Sequence, residues 1–187
     1  MKIGLISDTH GSATMFQKVL EGLFKDVEMI LHAGDIFYHG VKNLLPSGYN
    51  TNSLADMLRS LPVPLLIAKG NCDSDVDQMV LDVPIQSPYV FISVEGRRIL
   101  LLHGDGKGED DFAGLVHKFN LSLLVHGHSH IPRIKKVEGA LIVNPGTPSL
   151  PGAMGPRKRT AGVFDTVTGR VFVQDIESGD IILEETL

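Results

Sequence analysis

Five times along this chain a short apolar run breaks off into carboxylate, imidazole or amide side chains. Lys2 to Ser7 runs into Asp8-Thr9-His10, Met29 to Leu31 into His32-Ala33-Gly34-Asp35, and Leu65 to Ala68 into Gly70-Asn71-Cys72-Asp73. Arg97 to Leu102 then ends in His103-Gly104-Asp105, and Leu121 to Val125 in His126-Gly127-His128-Ser129-His130. One such break would mean little. Five in series ask for a fold that gathers strand ends, and ligand sites in open α/β sheets lie beyond the carboxyl ends of strands.

The stretches between the runs say how the sheet is wound. Ser12 is placed to cap a helix over roughly Ala13 to Phe24, where Met15, Val19, Leu20 and Leu23 recur at helical spacing. Strand, helix, strand favours a parallel sheet with a right-handed crossover. Residues 36–52 are irregular, which in a compact domain marks a functional loop or a lid. Thr51 or Ser53 could cap a second helix through Leu54, Met57, Leu58 and Leu61.

After Pro84 the texture changes. Tyr89 to Val94 and Arg97 to Leu102 flank Glu95-Gly96, a two-residue hairpin signal. Phe112, Leu115, Val116 and Phe119 mark one more helix. Ile131 to Val137, Ala140 to Val143, Ala161 to Asp165 and Val171 to Ile176 read as antiparallel strands. Turns fall at Asn144-Pro145-Gly146-Thr147 and Thr168-Gly169, and a Pro- and Gly-rich loop runs from Ser149 to Pro156. With no repeat or linker, the expectation is one domain over residues 1–187, of α/β class, with two packed mixed β-sheets flanked by helices.

Composition narrows the partners. A net charge of −5 and a pI near 5.9 argue against stable nucleic-acid binding, although a nucleotide remains an acceptable substrate. The single cysteine excludes an intrachain disulfide and suits a reducing compartment. The N-terminus meets Asp8 too soon for a secretory signal, and no apolar run approaches the roughly 18 residues of a membrane span. A cytoplasmic protein without membrane contact is expected, and the apolar edges of the β-rich half leave a homo-oligomer open.

Mixed carboxylate, imidazole and amide donors suit Mn²⁺, Fe²⁺, Zn²⁺, Ni²⁺ or Co²⁺ better than Ca²⁺, Mg²⁺ or a thiolate zinc site. Two cations about 3.5–4 Å apart need a bridging anion, and Asp35 on its tight turn is the best-placed candidate. Such a pair lowers the pKa of a shared water and aims the hydroxide at phosphorus.

Asp-x-His, Gly-Asp, Gly-Asn-x-Asp, a lone His and Gly-His-x-His, in that order from Asp8 to His130, resemble the calcineurin-like metallophosphoesterases, and among them the small YfcE-type phosphodiesterases. His39-Gly40 and Asn144-Pro145-Gly146 add to the likeness. The resemblance implies a four-layer αββα fold and two divalent ions, with manganese the best guess. It implies that Asp8, His10, Asp35 and His130 hold one ion and that Asp35, Asn71, His103 and His128 hold the other. It also implies in-line attack of a held hydroxide on a small phosphodiester or phosphomonoester, with Asn71 stabilising charge and Cys72 and His39 bordering the leaving group. Two positions depart from the pattern. Cys72 stands where many members have a phosphate-contacting histidine, and Tyr38 where many have Asp or Asn. An alternative is a protein-binding scaffold like the retromer subunit of this fold, against which the complete ligand set argues.

The other polar residues have plainer readings. His32 reads as a packed strand residue and His117 as a surface one. His126 alternates with His128 and could support it from behind. Asp73 and Asp105 could orient ligands or cap turns, and Arg157-Lys158-Arg159 reads as a solvated basic run.

Overall fold

The computed structural model describes residues 1–152, 155 and 157–187; Ala153, Met154 and Pro156 of the expected Ser149–Pro156 loop lie outside them. Strand β1 (Lys2–Ile6) is buried along most of its length and pairs in parallel with β2 (Met29–His32). Next to β2, also in parallel, come β3 (Leu65–Ala68) and β4 (Ile85–Gln86). On its other edge β1 meets β10 (Thr160–Asp165) antiparallel, followed by β11 (Arg170–Asp175) and β12 (Ile181–Thr186). The second sheet runs in the order β5 (Val90–Val94), β6 (Arg97–Leu101), β7 (Leu123–Val125), β9 (Ala140–Asn144), β8 (Arg133–Val137). Its centre is parallel and its two edges are antiparallel.

Period-two alternation stacks the layers. Ile3 and Leu5 of β1 face the second sheet, where they pack with Ile99, Leu123 and Leu141. Ile6 faces the other way, against Phe16 and Val19 of α1 (Ala13–Glu21) and Leu54 and Leu58 of α2 (Thr51–Arg59). Phe112 and Val116 of α4 (Glu109–Phe119) cover the far face of the second sheet on Leu100 and Leu124. Strands apolar on both faces are what a helix–sheet–sheet–helix stack requires. No described helix is long and apolar enough to cross a membrane.

The expected elements recur with four corrections. Ser12 occupies the N-cap position of α1 but does not cap it; its hydroxyl donates to Ser47 O at 2.6 Å. Asn50, not Thr51 or Ser53, caps α2, its side chain accepting from Ser53 N at 3.0 Å. Helix α3 (Asp75–Val80), β4 and β12 are additional. The stretch from Ile131 becomes a strand only at Arg133, since Pro132 has no N–H for a ladder. Glu95 and Gly96 take φ of 49° and 77°, as a primed hairpin turn requires.

Candidate metal centre

All five polar breaks lie at the carboxyl ends of strands of the two sheets, and the sandwich brings those ends together. The chain turns there at a cost. Asp8, His10, Asp35, His128 and His130 all have positive φ, between 45° and 70°. Backbone of this kind is rare in non-glycine residues and persists only where surroundings enforce it. Close approach demands glycine at two further points. A Cβ on Gly127 would lie 1.8 Å from Ser7 Oγ, and one on Gly70 would lie 2.2 Å from Asp35 Oδ1.

Three imidazoles are oriented by backbone carbonyls. His10 Nδ1 donates to Tyr38 O at 2.6 Å, His103 Nδ1 to Ala33 O at 2.7 Å, and His130 Nδ1 to Leu150 O at 2.6 Å. A carbonyl only accepts, so Nδ1 carries the proton and each Nε2 is left as a donor atom for a metal. Those Nε2 atoms converge. His10 Nε2 is 3.1 Å from His130 Nε2 and 3.7 Å from Asp8 Oδ1, which is itself 3.2 Å from His130 Nε2. Asp8 Oδ2 accepts from His128 N at 3.1 Å, whereas buried Oδ1 has no hydrogen-bond partner among the described residues.

Asp35 lies between this group and a second one. Its Oδ2 is 3.8 Å from His10 Nε2 and 3.4 Å from His103 Nε2, while Oδ1 accepts from Cys72 N at 2.8 Å. Asn71 Oδ1 lies 3.0 Å from His103 Nε2 and 2.8 Å from His128 Nδ1. Asp8, His10, Asp35, His103 and His130 therefore converge, while Asn71 and His128 join at the edge through Asn71 Oδ1. Asp8, His10 and His130 form a cluster with ligand geometry, as do Asp8, Asp35 and His103. Cys72 Sγ falls within ligand range of His10 and Asp35, closer to the centre than expected for a residue bordering a leaving group.

The donor set fits divalent cations. Asp8 Oδ1, His10 Nε2 and His130 Nε2 are three lone-pair atoms packed together, one of them buried and unpartnered, and a cation among them would satisfy all three. The protons they hold otherwise are visible in their acidities. Burial works to raise the Asp8 carboxyl, but the His130 imidazole beside it prevails and holds it well below the carboxylate range. Asp35 is likewise lowered, His103 outweighing burial. Burial pulls on His103 too, yet Asp35 and Asp8 push it up to about 9. His130 is raised against burial by Asp8. Burial and the Asp35 charge push the Cys72 thiol up to about 12.

Several flanking residues have definite jobs. Asp73 accepts from the backbone N–H groups of Asp35 (2.9 Å), Ile36 (2.8 Å) and Gly70 (2.7 Å), tying the β2 and β3 ligand turns together. Tyr38 contributes its carbonyl, so its departure from the family pattern leaves the His10 contact intact. His32 Nδ1 accepts from Gly34 N at 3.1 Å and Nε2 bonds Thr9 Oγ1 at 3.0 Å; it is a buried brace. His126 stacks on Phe112 with centroids 4.3 Å apart and is not among the ligands. His39 stands edge-on to the Tyr38 and Tyr49 rings, and its Nδ1 is buried without a partner among the described residues. Asp105 and His117 are exposed. Lys158 and Arg159 are half-buried rather than solvated; they pair with Asp175 and Glu177 at 3.3 and 2.8 Å, and Arg159 Nε is buried without a partner among the described residues.

Three contributors carried no metal-type signal. Thr147 Oγ1 and Ser149 Oγ both donate to Asp8 O, at 2.7 and 2.8 Å. Asn144 Nδ2 donates to Gly127 O and Ser129 Oγ, at 2.8 and 3.0 Å, bracing the His128–His130 loop. Small polar residues in the turn after buried β9 were the available hint. A cleft of about 600 Å³ opens over His128 and His130, walled by residues 42–47, by Leu150, Pro151 and Gly152, and by Arg159.

A family model described as the calcineurin-like phosphoesterase superfamily domain matches residues 1–169. The chain belongs to that superfamily. Its members use divalent metals, and candidate ligand groups are present here. Among these phosphoesterases, the chain is 35% identical over 158 residues to phosphodiesterase YfcE of Escherichia coli K12, covering 83% of this chain and 84% of that one. It is 29% identical over 164 residues to a probable metallophosphoesterase of Methanothermobacter thermautotrophicus, covering 83% and 82%. The solved structure of E. coli YfcE superposes with a TM-score of 0.84 at 30% identity, over 100% of this chain and 99% of that one. Vacuolar protein sorting 29 of Cryptosporidium parvum shares the fold, with a TM-score of 0.71 at 20% identity over 100% and 98%.

Proposed function

We propose that the chain is a metal-dependent phosphodiesterase whose dinuclear centre is held by Asp8, His10, Asp35, Asn71, His103, His128 and His130, with Asp35 between the ions. The observation that carries this is the packing of Asp8 Oδ1, His10 Nε2 and His130 Nε2, three atoms close enough to share protons in the free protein and able to offer three lone pairs to one cation. Two divalent cations, manganese first among the borderline metals, would acidify a water and offset charge on the phosphate oxygens.

The chain's own residues do the rest. The Tyr38, Ala33 and Leu150 carbonyls keep the Nε2 atoms of His10, His103 and His130 aimed inward. Asp73 fixes the turn that carries Asp35. Asn71, exposed at the rim, donates Nδ2 to Cys72 Sγ at 3.3 Å, which puts this N–H group where a phosphate oxygen could take it instead. A neutral Cys72 thiol is a weak hydrogen-bond donor, and a poor acid at this position favours esters whose leaving group needs no proton. Diester chemistry is favoured by the likeness to a protein named phosphodiesterase.

Activity on metal-stripped protein reloaded with Mn²⁺, Fe²⁺, Zn²⁺, Ni²⁺ or Co²⁺ tests the reading. Aryl diesters should turn over fastest, above aryl monoesters and cyclic nucleotides. No turnover with any metal, despite measured binding, would favour the scaffold reading.

A further inference from the structure

Among the described residues, seven of the ten exposed large hydrophobic side chains lie in two segments. Tyr38, Val41, Leu44 and Leu45 follow the Asp35 turn of β2, and Val76, Met79 and Val80 follow the Asn71 turn of β3. β2 and β3 are neighbours, so both segments leave the sheet beside the metal centre. Val41 and Leu44 are 86% and 87% exposed and Leu45 62%, and among the described residues outside these two segments only Phe91, Val167 and Ile181 are exposed in the same way. Scattered exposed apolar residues need no explanation, whereas a concentration at one place marks contact with something apolar.

The cleft says what that something is. Leu44, Leu45, Leu150 and Pro151 share one cavity with His128 and His130, so whatever covers them reaches the reacting phosphate. The cations in that cavity are Lys42 and Arg159, the latter paired with Glu177 at 2.8 Å. Two cations, one already paired, in a chain of net charge −5 are too few for a polyanion such as RNA. They suffice for a single phosphodiester with its one negative charge.

Resting on the phosphodiesterase reading, we propose that this lip is a specificity subsite: the substrate is an amphiphilic phosphodiester, one of whose ester groups is a sizeable apolar chain or ring seated on Leu44, Leu45, Leu150 and Pro151. Polar, short-chain diesters bring the same phosphorus to the metals but leave the lip wet. Each methylene that leaves water lowers the barrier when the contact is kept in the transition state.

The test holds the chemistry constant and varies only the contact. Alkyl p-nitrophenyl phosphates from methyl to hexyl share one leaving group, and kcat/KM is measured for each with Mn²⁺-loaded protein. Full burial is worth roughly fourfold per methylene, and the open lip covers part of each, so a rise on the order of tenfold across the series is expected. In L44S/L45S, changed at two exposed positions outside the buried core, the slope should flatten. A flat series in the parent protein assigns the lip to another occupant, a protein or a membrane, and overturns the inference while diesterase activity stands. A steep series that survives L44S/L45S overturns it as well. Failure to hydrolyse any member, with metal binding verified by calorimetry, refutes the phosphodiesterase reading itself and with it the subsite.

Discussion

His10 Nε2 and His130 Nε2 lie 3.1 Å apart while the Nδ1 of each ring donates to a carbonyl, so two lone pairs face one another whenever the Nε2 atoms are deprotonated. A protein holds such an arrangement at a cost unless a cation relieves it. Saturating Mn²⁺ should therefore raise the melting temperature. At a hundred times the dissociation constant the gain is about 2.7 kcal/mol, and a tenfold loss of affinity removes about half of it. H130A, if it loses tenfold or more in affinity, should show at most about half the parent's metal-induced rise at equal metal. An equal rise in both proteins would remove His130 from the ligand set.

Metal loading should expel protons. His103 is pushed up to about 9, mainly by Asp35 and Asp8 against burial, and so carries a proton at neutral pH in the metal-free protein. Only the deprotonated imidazole binds a metal, so affinity weakens as pH falls below about 9. Titrating metal at pH 7.5 in buffers of different ionisation enthalpy should reveal at least about one proton released. Release should shrink as pH rises through 9. Zero release at pH 7.5 would contradict the assignment.

Asp73 should matter out of proportion to its distance from chemistry. D73A strands the three N–H groups that its carboxylate accepts, each worth about 1–3 kcal/mol when buried and unmet. Urea unfolding of metal-free D73A should show a loss of at least about 3 kcal/mol, with D73N, which keeps an acceptor oxygen, in between. A loss below about 1 kcal/mol would mean that water replaces the carboxylate.

His32 predicts an acid sensitivity separate from the metal ligands. Burial pushes it down to about 4, and its Nδ1 already accepts from Gly34 N. The unfolded chain takes up this proton near 6.5 and the folded one only near 4, so between those values the unfolded state binds more protons. Stability therefore falls as pH falls across that window, by about 1.4 kcal/mol per unit from this group. The difference in unfolding free energy between parent and H32N, measured from pH 7 to 4.5, should carry that slope. A difference independent of pH would show that His32 accepts the proton in place.

How far the site could be read in advance depends on the kind of contact. Asp8, Asp35 and His103 each end an apolar run, a local signal because strand burial and chain reversal are written in adjacent residues. The carbonyls of Ala33, Tyr38 and Leu150 have no such signal, since every residue has a carbonyl and only its direction is special. Thr147 and Ser149 looked like turn residues because their bonds reach back some 140 positions to Asp8 O. Helix α3 has no buried residue and β12 is a charged edge strand, so neither carries the periodicity that burial imposes.

The order of apolar runs and polar breaks was enough, by itself, to indicate a strand-built α/β sandwich and to single out seven polar side chains at strand ends, because both follow from residues close together in the chain. The tertiary structure decided that Asp35 lies within reach of both His10 and His103, that three imidazoles turn Nε2 inward, and that Leu44 and Leu45 border the cleft. Those facts depend on distances between strands far apart in sequence, which no local pattern encodes.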